Sequence, residues 1–336
     1  MAQSAPLFIR MVASSIAAAN KAGQIVRDVM KKGDLGIIDK YSNSPPSYLR
    51  LMLLRIGSQL NFPFQGKNDL QTEGDRSAQR CIIASLSHQF PGVTIIGEEE
   101  DTSSCPVPAD WVVTTSDEEV LGIECPKEYQ DATVKDIVVW VDPLDGTAEY
   151  TQGFLDHVTI LIGIAVRNRA VGGVIHQPFY SSGTQSGTDS GTLGRTLWGI
   201  VGAGVGGFQP AYVEGDRRVI TTTRSHLTPT VQAAVDAMKP DEVLKVGGAG
   251  HKVMLLLEGK ANAYMYPTKG TKRWDTCAPE AVLHAMGGKL TDMYGNYYSY
   301  AGDTNVANLD GVLATAKAQD HHFYLKVISD VVKPAS

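Results

Sequence analysis

The stretch Ile137–Gly153 constrains this chain more than any other. An apolar, β-branched run, Ile137-Val138-Val139-Trp140-Val141, stops abruptly at Asp142-Pro143-Leu144-Asp145-Gly146-Thr147. The run reads as a buried strand. Pro143 cannot continue a ladder, and Gly146 permits a tight backbone path. Two carboxylates and a hydroxyl are therefore expected in a turn at the carboxyl end of a strand, where α/β sheets place ligands. Carboxylates about 4 Å apart repel by about 4 kcal/mol at an effective dielectric near 20. A hard divalent cation removes that repulsion, and oxygen-only ligands suit magnesium. The same residues also suit an acidic turn whose Asp side chains cap backbone N–H groups.

The remaining sequence narrows the class. With 336 residues the chain suits one large or two medium domains. A net charge of −6 argues against coating a nucleic acid, though not against a small phosphorylated ligand held by metal ions. The cysteines, Cys81, Cys105, Cys125 and Cys277, are scattered, with no Cys-x-x-Cys or zinc spacing, so reduced thiols are expected. Met1–Arg10 lacks a basic region followed by an apolar core, no sequon occurs, and no apolar run approaches ~20 residues. The expectation is a cytoplasmic protein with no membrane contact.

Along the chain, Ile9, Val12, Ile16, Ala19, Gly23, Val26 and Met30 predict a helix from about Pro6 to Lys32. A strand is predicted over Leu35–Lys40, and another over Asn68–Thr72. Between them Tyr41–Gly66 breaks the rhythm. It reads as a surface insertion, with a lid or docking helix as the functional alternative. Asp75 opens a helix to Phe90. Val93–Gly97 is a strand running into four acids from Glu98, the arrangement also seen at Asp142. Cys105–Asp136 is an acidic excursion, Val158–Gln177 a hairpin about Arg167-Asn168-Arg169, and Pro178–Gly194 a polar loop. Gly202, Gly204 and Gly207 match a dinucleotide-binding pattern. Phe208-Gln209-Pro210 follows where a helix would have to open, so that reading is rejected. After Gly215 strands and helices alternate, with a predicted helix over Pro279–Met286, implying a largely parallel second sheet. The halves are thus 1–214, mostly antiparallel, and 215–336.

Three pieces of the second half stand out. Thr221–His226 offers hydroxyls, a guanidinium and an imidazole for a phosphate or a base edge, or caps a helix. Gly247–Lys252 joins a strand to a helix, which makes an anion site from backbone N–H groups and one ammonium, or a tight turn with a solvated lysine. Asp275 lies beside a helix start and reads by default as an N-cap. Lys269, Lys272 and Arg273 before it either attract an anion or form a solvated loop.

Together, Gly97-Glu98-Glu99, Asp142–Thr147 and Trp274-Asp275-Thr276-Cys277-Ala278 resemble the inositol monophosphatase superfamily of magnesium-dependent, lithium-sensitive phosphatases. Asp69–Thr72, Trp140–Asp142, Thr221–His226, Val246–Gly250 and Gly287–Asp292 resemble its nucleotide-directed branch. The resemblance implies an α/β (α+β) fold, a layered αβαβα sandwich with the metal site between the halves. It also implies one Mg2+ on Glu98, Asp142 and the Leu144 carbonyl, and a second on Asp142, Asp145 and Asp275, with a third left open. Thr147, paired with Asp75, would activate the attacking water. Thr223, His226, Gly248 and Lys252 would hold the nucleotide and its non-reacting phosphate. The implied reaction is hydrolysis of adenosine 3′,5′-bisphosphate to AMP, with 3′-phosphoadenylyl sulfate and inositol 1,4-bisphosphate as further substrates, by a monomer working in sulfate assimilation. Two other readings stand: an inositol phosphatase using the same metals, and a catalytically weak nucleotide-binding isoform in which Tyr41–Gly66 obstructs the neighbouring hairpin.

Overall fold

The computed structural model describes residues 5–40, 70–99, 106–181 and 193–332. The insertion Tyr41–Gly66, Glu100, Asp101, Cys105 and most of the 178–194 loop therefore lie outside the described residues.

Helix α1 (Leu7–Lys32) buries Phe8, Val12, Ile16, Ala19 and Val26, as its periodicity predicts, and ends on Gly33 at φ 79°. Strand β1 is only Ile38–Asp39 and pairs antiparallel with β2 (Leu70–Gln71). Helix α2 (Glu73–Gln89) starts two residues before Asp75, because Thr72 and Asp75 form a reciprocal capping box. Strand β3 (Thr94–Gly97) follows, and the described part of the acidic excursion holds the short α-helix α3 (Glu118–Leu121) among single 3-10 turns.

Strand β4 (Ile137–Asp145) corrects the expectation that Pro143 ends the ladder. Asp142 pairs with Leu161 and Asp145 with Thr159, so Pro143 and Leu144 together face the single residue Ile160. This is a β-bulge, where proline removes no ladder bond. Residues three apart on a regular strand point to opposite faces. The extra residue cancels that, because Leu161 and Thr159 are two apart. Asp142 and Asp145 consequently border the same cleft.

Helix α4 (Thr147–Gln152) leads into β5 (Thr159–Val166), β6 (Arg169–Gln177), β7 (Arg195–Ile200) and β8 (Gly204–Gly206). The sheet order is β3-β4-β5-β6-β7-β8, parallel only between β3 and β4. Arg167 and Asn168, both at positive φ (51° and 68°), make the tight hairpin turn. The rejected glycine motif forms the β7–β8 hairpin instead.

The second half contains β9 (Val219–Thr223), α5 (Pro229–Ala237), β10 (Glu242–Val246), α6 (Ala249–Leu257), β11 (Ala263–Tyr266), β12 (Thr271–Lys272), α7 (Arg273–Met286), β13 (Lys289–Thr291), β14 (Ala307–Asn308), β15 (Val312–Thr315) and α8 (His321–Ile328). Its sheet, β10-β9-β11-β15-β13, is mixed rather than largely parallel. β9 runs parallel to β10 and β11, whereas β15 is antiparallel to β11 and β13. No helix lies between β13 and β15, so the chain returns without a crossover and reverses direction.

Helix α7 begins at Arg273, six residues before the predicted start, and keeps Pro279 in its interior. Packing overrides the proline. Gly163, Gly173 and Gly199 pair across β5, β6 and β7 and form a smooth track under the helix. A Cβ on Gly163 would lie 2.5 Å from Cys277 Sγ, and one on Gly199 2.7 Å from Val282 Cα. On Gly173 it would strike the Ala278 carbonyl. A second-half helix thus packs on the first-half sheet, and Trp140, Leu161 and Ile175 share one buried cluster with Trp274, Leu283 and Leu290. Gly173→Val is expected to cost about 3 kcal/mol of stability. A urea midpoint equal to the parent's would show that α7 does not rest on this track.

Glu280 of α7 is wholly buried. Its Oε2 accepts from the Tyr300 hydroxyl at 2.6 Å, Oε1 has no hydrogen-bond partner, and His284 Nδ1 stands 4.0 Å from Oε1. Burial pushes its carboxyl up to about 8, against the Tyr300 bond and the pull of Arg169 and Arg273. The folded chain then keeps a proton that the unfolded chain releases near its ordinary value of 4.5. Stability therefore falls as pH rises from that value towards 8. Glu280→Gln is expected to raise the urea midpoint at pH 8 and to leave it nearly unchanged at pH 5. Equal shifts at both pH values would refute the account.

Candidate active site

A cleft of about 450 Å³ opens between the halves. Of the residues singled out from sequence, Glu98, Asp142, Leu144, Asp145, Thr147, Thr223, His226, Gly248, Lys252 and Asp275 all line it. Asp75 does not; it lies fully buried behind Thr147.

The bulge holds Asp142 by a bond from Leu144 N to Oδ1 at 3.0 Å. Burial raises the Asp142 carboxyl well above its usual range, and Glu98, Asp145 and Asp275 raise it further. Asp275 is the third residue of α7 and accepts from Lys272 N at 2.6 Å, so it closes a capping box rather than serving as N-cap. Burial, then Glu98 and Asp145, push it up to about 7. Glu98 projects from the end of β3 and meets Lys40 Nζ at 3.2 Å and Lys272 Nζ at 3.8 Å.

Asp145 changes the reading of Gly247–Lys252. The N–H groups of Ala249 and Gly250, at the start of α6, donate to its two carboxylate oxygens at 2.8 Å each, and Thr159 Oγ1 donates at 2.7 Å. The helix N-terminus therefore holds the protein's own anion across the halves rather than offering these N–H groups to a ligand. Gly248 precedes the helix at φ 71°, with room for no side chain beside the His157 carbonyl. Lys252 is buried and donates to Gly248 O at 2.9 Å. Desolvation lowers its ammonium pKa, while Asp145, Glu149 and Asp275 favour the charged form.

Thr147 Oγ1 stands 3.0 Å from Asp75 Oδ1 and 3.1 Å from Leu144 O. Asp75 also accepts from Thr72 N at 2.8 Å and from the Thr72 hydroxyl. Burial raises it to about 7, assisted by Glu99 and Glu98. Thr223 Oγ1 accepts from His226 N at 3.2 Å, so the strand-end turn is self-capped while both residues still face the cleft.

Several cleft residues carry no sequence motif. Tyr264 and Tyr266 alternate along β11 with Ala263 and Met265, and only that period-two spacing at a strand's carboxyl end hints at a lining role. Glu149 lies in the first turn of α4, where it reads as an ordinary helix-start acid. Lys269 and Lys272 line the cleft, whereas Arg273 turns away to Ser299 O at 2.9 Å.

Among the described residues, no three His, Cys, Asp or Glu side chains converge closely enough to chelate an ion as they stand. The donor chemistry nevertheless fits Mg2+: Glu98, Asp142, Asp145 and Asp275 are oxygen donors in one cleft, burial raises the pKa values of Asp142, Asp145 and Asp275, and neighbouring carboxylates add to the shift at Asp142 and Asp275.

Residues 10–332 match the sequence pattern of the inositol monophosphatase family. The chain belongs to that family. Inositol monophosphatases use Mg2+, in accord with the all-oxygen donor set. The chain is 46% identical to human 3′(2′),5′-bisphosphate nucleotidase 1, over 100% of this chain and 99% of the relative. It is 35% identical to 3′(2′),5′-bisphosphate nucleotidase 1 of Dictyostelium discoideum, over 96% and 97%. The solved structure of the extragenic suppressor protein suhB from Bartonella henselae shares the fold, with TM-score 0.62, 18% identity and coverage of 96% and 98%. This bears out the layered αβαβα architecture expected from sequence. No described helix is long and apolar enough to cross a membrane.

Proposed function

We propose that the chain is a Mg2+-dependent 3′(2′),5′-bisphosphate nucleotidase that converts adenosine 3′,5′-bisphosphate to AMP and phosphate. The carrying observation is one cleft that brings Glu98, Asp142, Asp145 and Asp275 together with a buried second-half lysine, Lys252. Full-length identity to nucleotidases from two distant organisms supports the same substrate. The free, buried thiols of Cys81, Cys125 and Cys277 support a cytosolic setting.

Glu98, Asp142 and the Leu144 carbonyl would hold one Mg2+, and Asp142, Asp145 and Asp275 a second. Bound there, the ions neutralise the carboxylates and supply Lewis acidity for displacement at phosphorus. Thr147 orients the attacking water with a lone pair of Oγ1. As that oxygen takes the water's proton, its own passes to Asp75 Oδ1, 3.0 Å away. Asp75 is prepared for this by burial, which raises its proton affinity towards neutrality. Lys252, with Thr223, His226 and Gly248, receives the nucleotide and its non-reacting phosphate.

The test is phosphate release from adenosine 3′,5′-bisphosphate with Mg2+, with and without lithium. Equal turnover after removal of all divalent ions would overturn the assignment. Lys252→Met, nearly isosteric, is expected to raise KM for the bisphosphate about tenfold, the equivalent of about 1.4 kcal/mol. KM for inositol 1-phosphate is expected to rise less, and an equal rise for both would remove Lys252 from the non-reacting phosphate.

A further inference from the structure

Glu149 has no part in the mechanism above, yet it is almost fully buried. Its side chain is only 5% exposed, so its charge requires a partner. That partner comes from the other half of the molecule. Arg224, next after β9, places Nη2 3.1 Å from Glu149 Oε1 and 2.9 Å from Gln152 Oε1. The guanidinium also covers the Phe154 ring at 4.2 Å. Arg224 thus turns back towards α4, while Thr223 and Ser225 on either side of it face the cleft. Gly247 also lies against the Glu149 carboxyl. A Cβ on Gly247 would overlap the Glu149 carboxyl, so only glycine permits the approach. Arg224 N donates to Val246 O at 3.2 Å, which ties the two second-half loops together at this point. One buried carboxylate on the helix that begins with Thr147 therefore touches both loops that present Thr223, Gly248 and Lys252.

We propose that Glu149 and Arg224 are a positioning pair. They clamp the two second-half loops to the Thr147 helix and so fix the distance between the attacked phosphate and the receptor for the second phosphate. The inference rests on the nucleotidase reading and deepens it, because a clamp of this kind selects substrates that engage both halves at once. A bisphosphorylated nucleotide spans the metal-site carboxylates and the second-phosphate receptor; a small phosphate monoester has no group to place in that receptor.

The experiment compares kcat/KM for adenosine 3′,5′-bisphosphate with kcat/KM for p-nitrophenyl phosphate in the parent, Glu149→Gln, Arg224→Gln and the double variant. The ratio is expected to fall about tenfold in each single variant, mainly through KM for the bisphosphate, and no further in the double, as for two residues acting as one unit. Arg224→Lys is expected to recover part of the ratio. Equal proportional losses on both substrates would mark a merely structural role and overturn the pair. Losses that multiply in the double variant would overturn the coupling. A parent with no preference for the bisphosphate would instead strike down the nucleotidase reading, and this inference with it.

Discussion

Asp142→Asn is expected to lower bisphosphate hydrolysis by roughly 10³-fold while the protein stays folded. Asp142 stands at the centre of the cleft carboxylates and is the residue shared by both proposed Mg2+ positions. Asparagine has the same shape and keeps an oxygen for the Leu144 N–H that now bonds Oδ1. What it removes is the charge. Burial disfavours that charge most, and Glu98, Asp145 and Asp275 add to the penalty. The variant should therefore melt higher than the parent without Mg2+ and gain less when Mg2+ is added. Thermal unfolding with and without Mg2+, beside a phosphate-release assay, reads both effects. Parental turnover in the variant would remove Asp142 from the site. A lower melting point without Mg2+ would refute the account of mutual repulsion.

Thr147→Val is expected to reduce kcat by about 10²- to 10⁴-fold, the usual worth of a positioned acid–base group, with little change in KM. Valine keeps the branched shape and loses only the hydroxyl that bridges Asp75 and Leu144 O. Asp75→Asn should give a similar kcat loss. It should also destabilise the fold, because asparagine's single amide oxygen cannot accept from both Thr72 N and Thr147, and its NH2 group accepts from neither. If the two residues form one relay, the double variant is no slower than the worse single one. Thr147→Val working within twofold of the parent would dismiss the relay.

Much of the site is legible in the sequence because its residues sit in local patterns. The apolar run before Asp142, the strand before Glu98 and the glycines before Lys252 each signal a strand ending at a polar turn. Glu149, Tyr264 and Tyr266 escape notice because nothing local distinguishes them. An acid near a helix start is ordinarily solvated, and tyrosines alternating in a strand ordinarily fill a core. Burial against Arg224 and Gly247 separates Glu149 from any exposed helix acid, and that burial comes from the other half of the chain.

The sequence by itself determined the elements and the chemistry: which segments become strands and helices, and which carboxylates and hydroxyls end them. Those outcomes follow from short-range periodicity, turn residues and caps. Only the tertiary structure decided how these groups meet. The bulge at Pro143-Leu144 turned Asp142 and Asp145 to one side. The track of Gly163, Gly173 and Gly199 let α7 start at Arg273 despite Pro279, and so brought Asp275 to the cleft. The α6 N–H groups, which suggested a ligand anion, were taken by Asp145. The absence of a crossover helix before β15 made the second sheet mixed. Each depends on close packing between segments far apart in the chain, where shape and burial outweigh the local preference of any one stretch.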